Sequence, residues 1–259
     1  MSRDGDEIDA FLRSREARPH WGAIPPERRP HDLAEGYRLQ HRIHAALAAR
    51  GTTHAGYKIG CTSAAGQRGF GLDEPIYAGM FETTRATSLR EALAVPLLAP
   101  MIECEIAFVM RATLDDGADL SDAALTDAIA SAHLACEVVD ARYGVPPAEI
   151  GAPTLLTDDF LHVRFMLGPP VPGWRALPLE ALAGAIEIDG TLHPGNTAEV
   201  LSPFAALRWL VTKLASNGQR LEAGMTVLTG SLVPPTPIKL PARHVAIWAE
   251  GFGRLDLAG

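Results

Sequence analysis

Apolar and polar side chains alternate through residues 102–110. Ile102, Cys104, Ile106, Phe108 and Met110 fall on one side of a pleated strand, and Glu103, Glu105, Ala107 and Val109 on the other. Both faces are mostly apolar, which is the pattern of a strand covered on both sides. Residues 54–62, 134–142 and 161–167 read as further strands. Residues 186–192 read as a hairpin, because Asp189-Gly190 suits a type I′ turn. Two more β segments are expected at 225–232 and 245–248, after which Gly251-Phe252-Gly253 turns into 254–257.

Helical spacing is confined to fewer segments. Ile8, Phe11 and Leu12 share a helical face within 5–20. Asp32 can cap a second helix carrying Leu33, Tyr37, Ile43 and Leu47, stopped at Gly51. Ser121 opens a third, through Ala124, Leu125, Ala128 and Ile129. Ser202-Pro203 opens the clearest one, with a stripe of Phe204, Leu207, Leu210, Val211 and Leu214, ended by Gly218. Residues 69–79 and 143–152, rich in glycine or proline, read as loops. Strands outnumber helices after residue 54 and do not alternate with them regularly, so the expected class is α+β. Residues 1–53 are too few to hold a core. They form a helical N-terminal region, a lid or an oligomerisation arm, on a β-rich catalytic domain at 54–259.

The 259 residues, 47% hydrophobic and 21% charged, suit one large soluble domain with its appendage. A net charge of -8 argues against nucleic acid as a partner. No apolar run is long enough to span a membrane, and residues 1–7 lack the apolar core of a signal peptide. The three cysteines, Cys61, Cys104 and Cys136, have no Cys-x-x-Cys spacing and lie in apolar segments, so buried thiols in a cytoplasmic protein are expected. A nucleophile elbow, a P-loop, an H-E-x-x-H helix and a complete dinucleotide fingerprint are all missing.

What remains is a set of charges in apolar strands. Burying an unpaired carboxylate costs on the order of several kcal/mol, so Glu103 and Glu105 need a cation if their strand is covered. Mg²⁺ or Mn²⁺ would serve, as hard ions that take oxygen ligands, although a bare Glu-x-Glu also fits an exposed edge strand. Glu137 shares a face with Ala135 and Val139 and is open to the same reading, or to an ion pair with Arg142. Lys58 sits among small and apolar neighbours. There a lysine either snorkels or serves chemistry with a lowered pKa.

Several motifs together give these residues a context. They are Tyr57-Lys58-Ile59-Gly60-Cys61-Thr62-Ser63, Gly71-Leu72-Asp73-Glu74-Pro75, Ile102-Glu103-Cys104-Glu105-Ile106-Ala107-Phe108, Glu137-Val138-Val139-Asp140-Ala141-Arg142 and Leu228-Thr229-Gly230-Ser231-Leu232. In that order the chain resembles the 2-oxopent-4-enoate hydratase / 4-oxalocrotonate decarboxylase family of the fumarylacetoacetate hydrolase superfamily. The resemblance implies a mixed β-roll of the fumarylacetoacetate hydrolase C-terminal type, assembled as a homo-oligomer. It implies a metal-dependent lyase acting on a 2-oxo acid from aromatic meta-cleavage catabolism. Glu103, Glu105 and Glu137 would hold Mg²⁺ or Mn²⁺, Lys58 would be the active-site lysine, and Ile106, Ile76 and Thr229 would line the substrate pocket.

The same resemblance leaves the reaction open. Typical hydratases carry an acid where this chain has Ile76, so water would need another group, with Asp73, Glu74 and His54 as candidates. Ile76-Tyr77 is more similar to the decarboxylases, whereas Thr229-Gly230-Ser231-Leu232-Val233-Pro234 is more similar to the hydratases. Thr157-Asp158-Asp159-Phe160 replaces Asp-Asn followed by small residues, and Phe160 would narrow the pocket. The preferred expectation is a hydratase of a 2-oxo-4-enoate. A decarboxylase of a 2-oxo dioate is the alternative and would need Arg142, Arg68 or Lys239 for the second carboxylate. A non-catalytic partner subunit on the same scaffold is the third expectation.

Overall fold

The computed structural model describes residues 3–16 and 24–256; the expected helical residues 17–20 and residue 257, the end of the stretch after the Gly251–Gly253 turn, lie outside them. The helices, numbered in chain order, are α1 Arg3–Glu16, α2 Leu33–Ala49, α3 Ala64–Phe70, α4 Leu89–Ala92, α5 Asp122–Ala128, α6 Pro147–Ile150, α7 Ala152–Thr157 and α8 Pro203–Ser216. The strands are β1 His54–Gly60, β2 Ile76–Phe81, β3 Pro100–Met110, β4 Ile129–Asp140, β5 His162–Pro170, β6 Ala183–Ile188, β7 Thr191–Asn196, β8 Thr226–Ser231, β9 Thr236–Pro237, β10 Val245–Ala249 and β11 Gly253–Asp256.

Six strands run in the order β2-β1-β8-β3-β4-β5, with β9 added beside β3. Only β1 and β8 are parallel; the other pairs are antiparallel. The sheet rolls until its two edges meet. Ala86, just past β2, donates its N–H to the carbonyl of Phe165 on β5 at 2.9 Å. The Arg85 guanidinium lies 4.8 Å from the Phe165 ring centroid at the same seam. Ala55, Met80, Ala107, Ala135, Phe165 and Leu228, one from each of the six strands, form a separate buried cluster that fills the roll. This is the mixed β-roll expected for the superfamily.

A four-stranded sheet, β11-β10-β6-β7, and helices α2 and α8 belong to the larger core outside the roll. That core includes Ile102, Cys104, Ile106 and Phe108, the apolar face of β3, with Phe108 packed on Trp174 and Phe204. The N-terminal helices share it through Phe11, Leu12, Tyr37 and Ile43. No described helix is long and apolar enough to cross a membrane.

Three local expectations differ. Residues 69–79 are not one loop: α3 runs to Phe70, Gly71 closes it at φ 65°, and β2 starts at Ile76. Helix α3 buries none of its residues, so it has no apolar stripe to read. The proline-rich stretch holds α6 and α7, each with proline in its first turn, where the missing N–H costs nothing. Strand β4 begins directly after α5 at Ile129, because Ala128-Ile129 fits either period. The expected turn at Asp189-Gly190 is present, with both φ values positive at 48° and 86°.

Candidate active site

Glu103 and Glu105 precede Ala107 on β3, Glu137 follows Ala135 on antiparallel β4, and Lys58 follows Ala55 on β1. All four therefore stand toward one end of the roll, beyond its apolar filling. Glu103 is the direct cross-strand partner of Glu137. One carboxylate oxygen from each of Glu103, Glu105 and Glu137 lies within 4.8 Å of the others. Lys58 Nζ sits 3.3 Å from Glu137 Oε1 and donates to the Phe160 carbonyl at 3.0 Å. Glu105, Glu137 and Lys58 are fully or almost fully buried.

Each buried glutamate is held by one oxygen and free at the other. Gly230 N–H donates to Glu105 Oε2 at 2.7 Å, and His162 Nδ1 meets Glu137 Oε1 at 2.7 Å. Glu105 Oε1 and Glu137 Oε2 are buried without any hydrogen-bond partner. With all three carboxylates ionised, the one ammonium would leave two negative charges unmatched. Two orphaned oxygens, a third nearby carboxylate and a deficit of two charges fit a hard divalent cation.

The electrostatics carry the same strain. Burial and the neighbouring Glu137 push the Glu103 carboxyl up to about 8, and burial with both neighbours raises Glu105 well above the usual range. Burial opposes ionisation of Glu137 too, but Lys58 and His162 overcome it and bring the group down to about 2. For Lys58 the expected lowering is corrected in the metal-free chain. Burial acts downward, yet Glu137, Glu103 and Glu105 together raise its pKa.

Ile76 pairs with Gly60 across β1 and β2, on the pleat face shared with Lys58. A Cβ on Gly60 would lie 3.3 Å from Phe160 and 3.5 Å from Ile76, so both side chains border the site beside Lys58. Phe160 also packs on Phe70, ring centroids 5.0 Å apart. The Ile106 side chain falls on the opposite pleat face from the glutamates, in the outer core. Its carbonyl accepts from the Thr229 hydroxyl at 2.8 Å, which seats β8 one residue before Gly230.

Asp159, Phe160 and Leu161 are consecutive non-glycine residues with positive φ, at 54°, 44° and 68°. Such backbone is costly and persists only where neighbours over-determine it. Asp159 accepts from Gly79 N–H at 2.9 Å and Arg15 at 2.7 Å, and pairs with His44 at 2.8 Å. Asp158 takes Arg142, Tyr143 and Arg15. The strained turn aims the Phe160 carbonyl at Lys58 and delivers His162 to Glu137.

Sequence reasoning missed His162, Gly230 as a backbone donor, and the Arg15 tether. A histidine at the head of an apolar strand was the one available signal for the first. The candidate replacement acids are not in the cage. Glu74 is held by Lys213 at 2.6 Å and Trp209 at 3.1 Å, Asp73 is exposed, and His54 packs on Tyr57 and Phe81 at the other end of β1.

Comparison with known proteins gives this geometry a family. No protein-family model matches the chain. A 2-keto-4-pentenoate hydratase of Burkholderia vietnamiensis is 31% identical over 258 residues, 98% of this chain and 97% of that protein. A 4-oxalocrotonate decarboxylase of Pseudomonas sp. (strain CF600) is 28% identical over 224 residues, covering 85% of this chain and 83% of that one. The structure of 4-oxalocrotonate decarboxylase from Pseudomonas putida G7, complexed with magnesium and adipate, superposes with a TM-score of 0.82. At 22% identity it covers 99% of this chain and 98% of that chain. The rolled sheet is also shared with a putative fumarylacetoacetate hydrolase family protein from Yersinia pestis CO92, which superposes with a TM-score of 0.61 at 17% identity over 80% of this chain and 92% of that one. This chain belongs to the family of 2-keto-4-pentenoate hydratases and 4-oxalocrotonate decarboxylases.

Proposed function

We propose that this protein is a divalent-metal-dependent lyase acting on a 2-oxo dienoic acid of aromatic meta-cleavage catabolism, as a hydratase of a 2-oxo-4-enoate. The observation that carries the reading is the pair of orphaned oxygens, Glu105 Oε1 and Glu137 Oε2, buried beside Glu103. These three glutamates would hold Mg²⁺ or Mn²⁺, whose chemistry is Lewis acidity toward a 2-oxo oxygen. Lys58 sets its ammonium beside the cage, where it stabilises negative charge developing on that oxygen or carries a proton. Ile76 and Phe160 offer the substrate's carbon chain an apolar border. The Thr229 hydroxyl on the Ile106 carbonyl fixes β8 against β3 beside the site, while the Ile106 side chain, expected in the pocket, faces the outer core.

A decarboxylase of a 2-oxo dioate is the second reading, favoured by Ile76 standing where an acid would orient water. It needs a cation for the distal carboxylate. Arg142 is already paired with buried Asp158, and Arg68 and Lys239 are exposed. We further propose a cytoplasmic homo-oligomer, supported by exposed Leu98 and Leu240 on one groove of about 550 Å³. Residues 1–53 are proposed as a lid or oligomerisation arm, supported by the Arg15 tether to Asp158 and Asp159.

An ultraviolet assay with 2-hydroxypenta-2,4-dienoate and 2-oxo-3-hexenedioate, each with Mg²⁺, Mn²⁺ or EDTA, tests these readings. The hydratase consumes the pentadienoate in a metal-dependent way and releases no carbon dioxide. Carbon dioxide release from the dioate would establish the decarboxylase instead. Turnover of neither, with metal bound, would mean a different 2-oxo acid substrate, and turnover lost in Glu105→Ala would dismiss the non-catalytic partner.

A further inference from the structure

The Glu137 carboxylate faces two cationic or donor groups through a single oxygen. Oε1 lies 2.7 Å from His162 Nδ1 and 3.3 Å from Lys58 Nζ, while Oε2 has no partner. His162 is not free to turn, because its Nε2 meets Thr84 Oγ1 at 2.9 Å. Thr84 is itself fixed to the end of β2: its hydroxyl donates to the Phe81 carbonyl at 2.8 Å and accepts from Phe81 N–H at 3.2 Å. The chain of contacts thus runs from the closing seam of the roll, through one imidazole, to one oxygen of a cage carboxylate.

We propose that His162 is a positioning residue for the metal cage, holding Glu137 so that Oε2 is presented to the ion. This inference rests on the cage reading above. A carboxylate turns about its terminal torsion with little restraint from the carbon chain itself. Its orientation is therefore set by what holds the oxygen that is not a ligand, and outer partners of metal ligands act in this way. Lys58 alone is a poorer restraint. Its ammonium is a point charge on a flexible stem, it lies farther from Oε1, and it is shared with the Phe160 carbonyl. His162 also separates two duties, because Lys58 can turn toward a substrate oxygen without releasing Glu137.

The position needs the strained turn at 159–161. His162 N–H donates to the Asp159 carbonyl at 3.0 Å, and Asp140 N–H to the Leu161 carbonyl at 3.0 Å, which fixes the head of β5 beside Glu137.

The test is Mn²⁺ binding to the full chain, read from the electron paramagnetic resonance signal of free Mn²⁺, with thermal unfolding run beside it. His162→Ala should weaken Mn²⁺ binding about 10- to 100-fold, the range found when outer-shell partners are removed. His162→Asn, which keeps a donor near Nδ1, should restore much of that loss, and a purely space-filling role would not predict this. Thr84→Val, which leaves the imidazole but removes its anchor, should give a smaller loss in the same direction and serves if His162→Ala does not fold. Binding within twofold of the wild type in a folded His162→Ala, or in Thr84→Val should the former not fold, would overturn the inference alone. Failure of the wild type to bind Mn²⁺ would overturn it together with the cage.

Discussion

Glu103 and Glu137 are direct cross-strand partners on the inner face of the roll. Like charges directly opposite one another destabilise a sheet. Here the pair stands in a largely buried place with a third carboxylate beside it, so protons or a bound cation must relieve the repulsion. Glu103→Gln or Glu105→Gln should lower Mg²⁺ and Mn²⁺ affinity by at least tenfold while raising the melting temperature of the metal-free protein. Calorimetric titration and a thermal melt check both. An unchanged affinity in both variants would remove the cage.

Protons and metal compete for the same oxygens. With the Glu103 carboxyl raised to about 8 and Glu105 raised as well, the metal-free cage holds protons at neutral pH. Affinity for Mn²⁺ should therefore rise with pH through neutrality to at least about 8, approaching tenfold per pH unit for each proton displaced. Titrations at spaced pH values measure the slope, and a flat profile would contradict the shifts.

Lys58 is the one group that should separate binding from chemistry. Lys58→Met keeps the stem and removes the charge. Turnover should fall on the order of 10²- to 10⁴-fold, the usual range for loss of a positioned proton-transfer group. Mn²⁺ should still bind. Steady-state kinetics beside a metal titration distinguish this from collapse of the cage.

Gly230 is required by its backbone. Its φ is 103°, and an added Cβ would lie 2.4 Å from Thr62 Cγ2. Gly230→Ala should cost on the order of 1–3 kcal/mol for the backbone conformation. It should also weaken metal binding by moving the N–H that holds Glu105 Oε2. A melting temperature and affinity both at the wild-type level would show the fit to be looser than the geometry states.

His54 is held neutral by burial and by repulsion from His44, with its pKa lowered to about 4. In the unfolded chain it takes a proton near the ordinary histidine value of about 6.5. The unfolded state therefore binds more protons in that window, and stability should fall as pH drops from about 6.5 toward about 4. His41, lowered to about 4 by burial, acts in the same direction. His54→Phe should flatten the profile, because its ring packs on Phe81 and Tyr57 and its Nε2 has no partner to lose. Melting temperatures across that range decide it.

The strands, the long helices and the faces of Glu103, Glu105 and Glu137 were legible because period-two and helical patterns are local properties of the chain. So was the Asp189-Gly190 turn. Helices α3, α6 and α7 were not, since short helices dominated by glycine, proline or small residues carry no readable stripe. Lys58 was legible as unusual but not in the sign of its shift, which depends on three carboxylates from other strands.

Sequence alone thus determined which segments are strands, which carboxylates share apolar company, and the family those motifs resemble. Tertiary structure decided what meets what. The curl of the sheet brings β4 and β1 to one end of the roll, the positive-φ turn at 159–161 swings Phe160 and His162 over it, and the register of β8 sets the Gly230 N–H on Glu105. These pairings join residues far apart in the chain. They are fixed by sheet register and backbone strain, which no local pattern of side chains encodes.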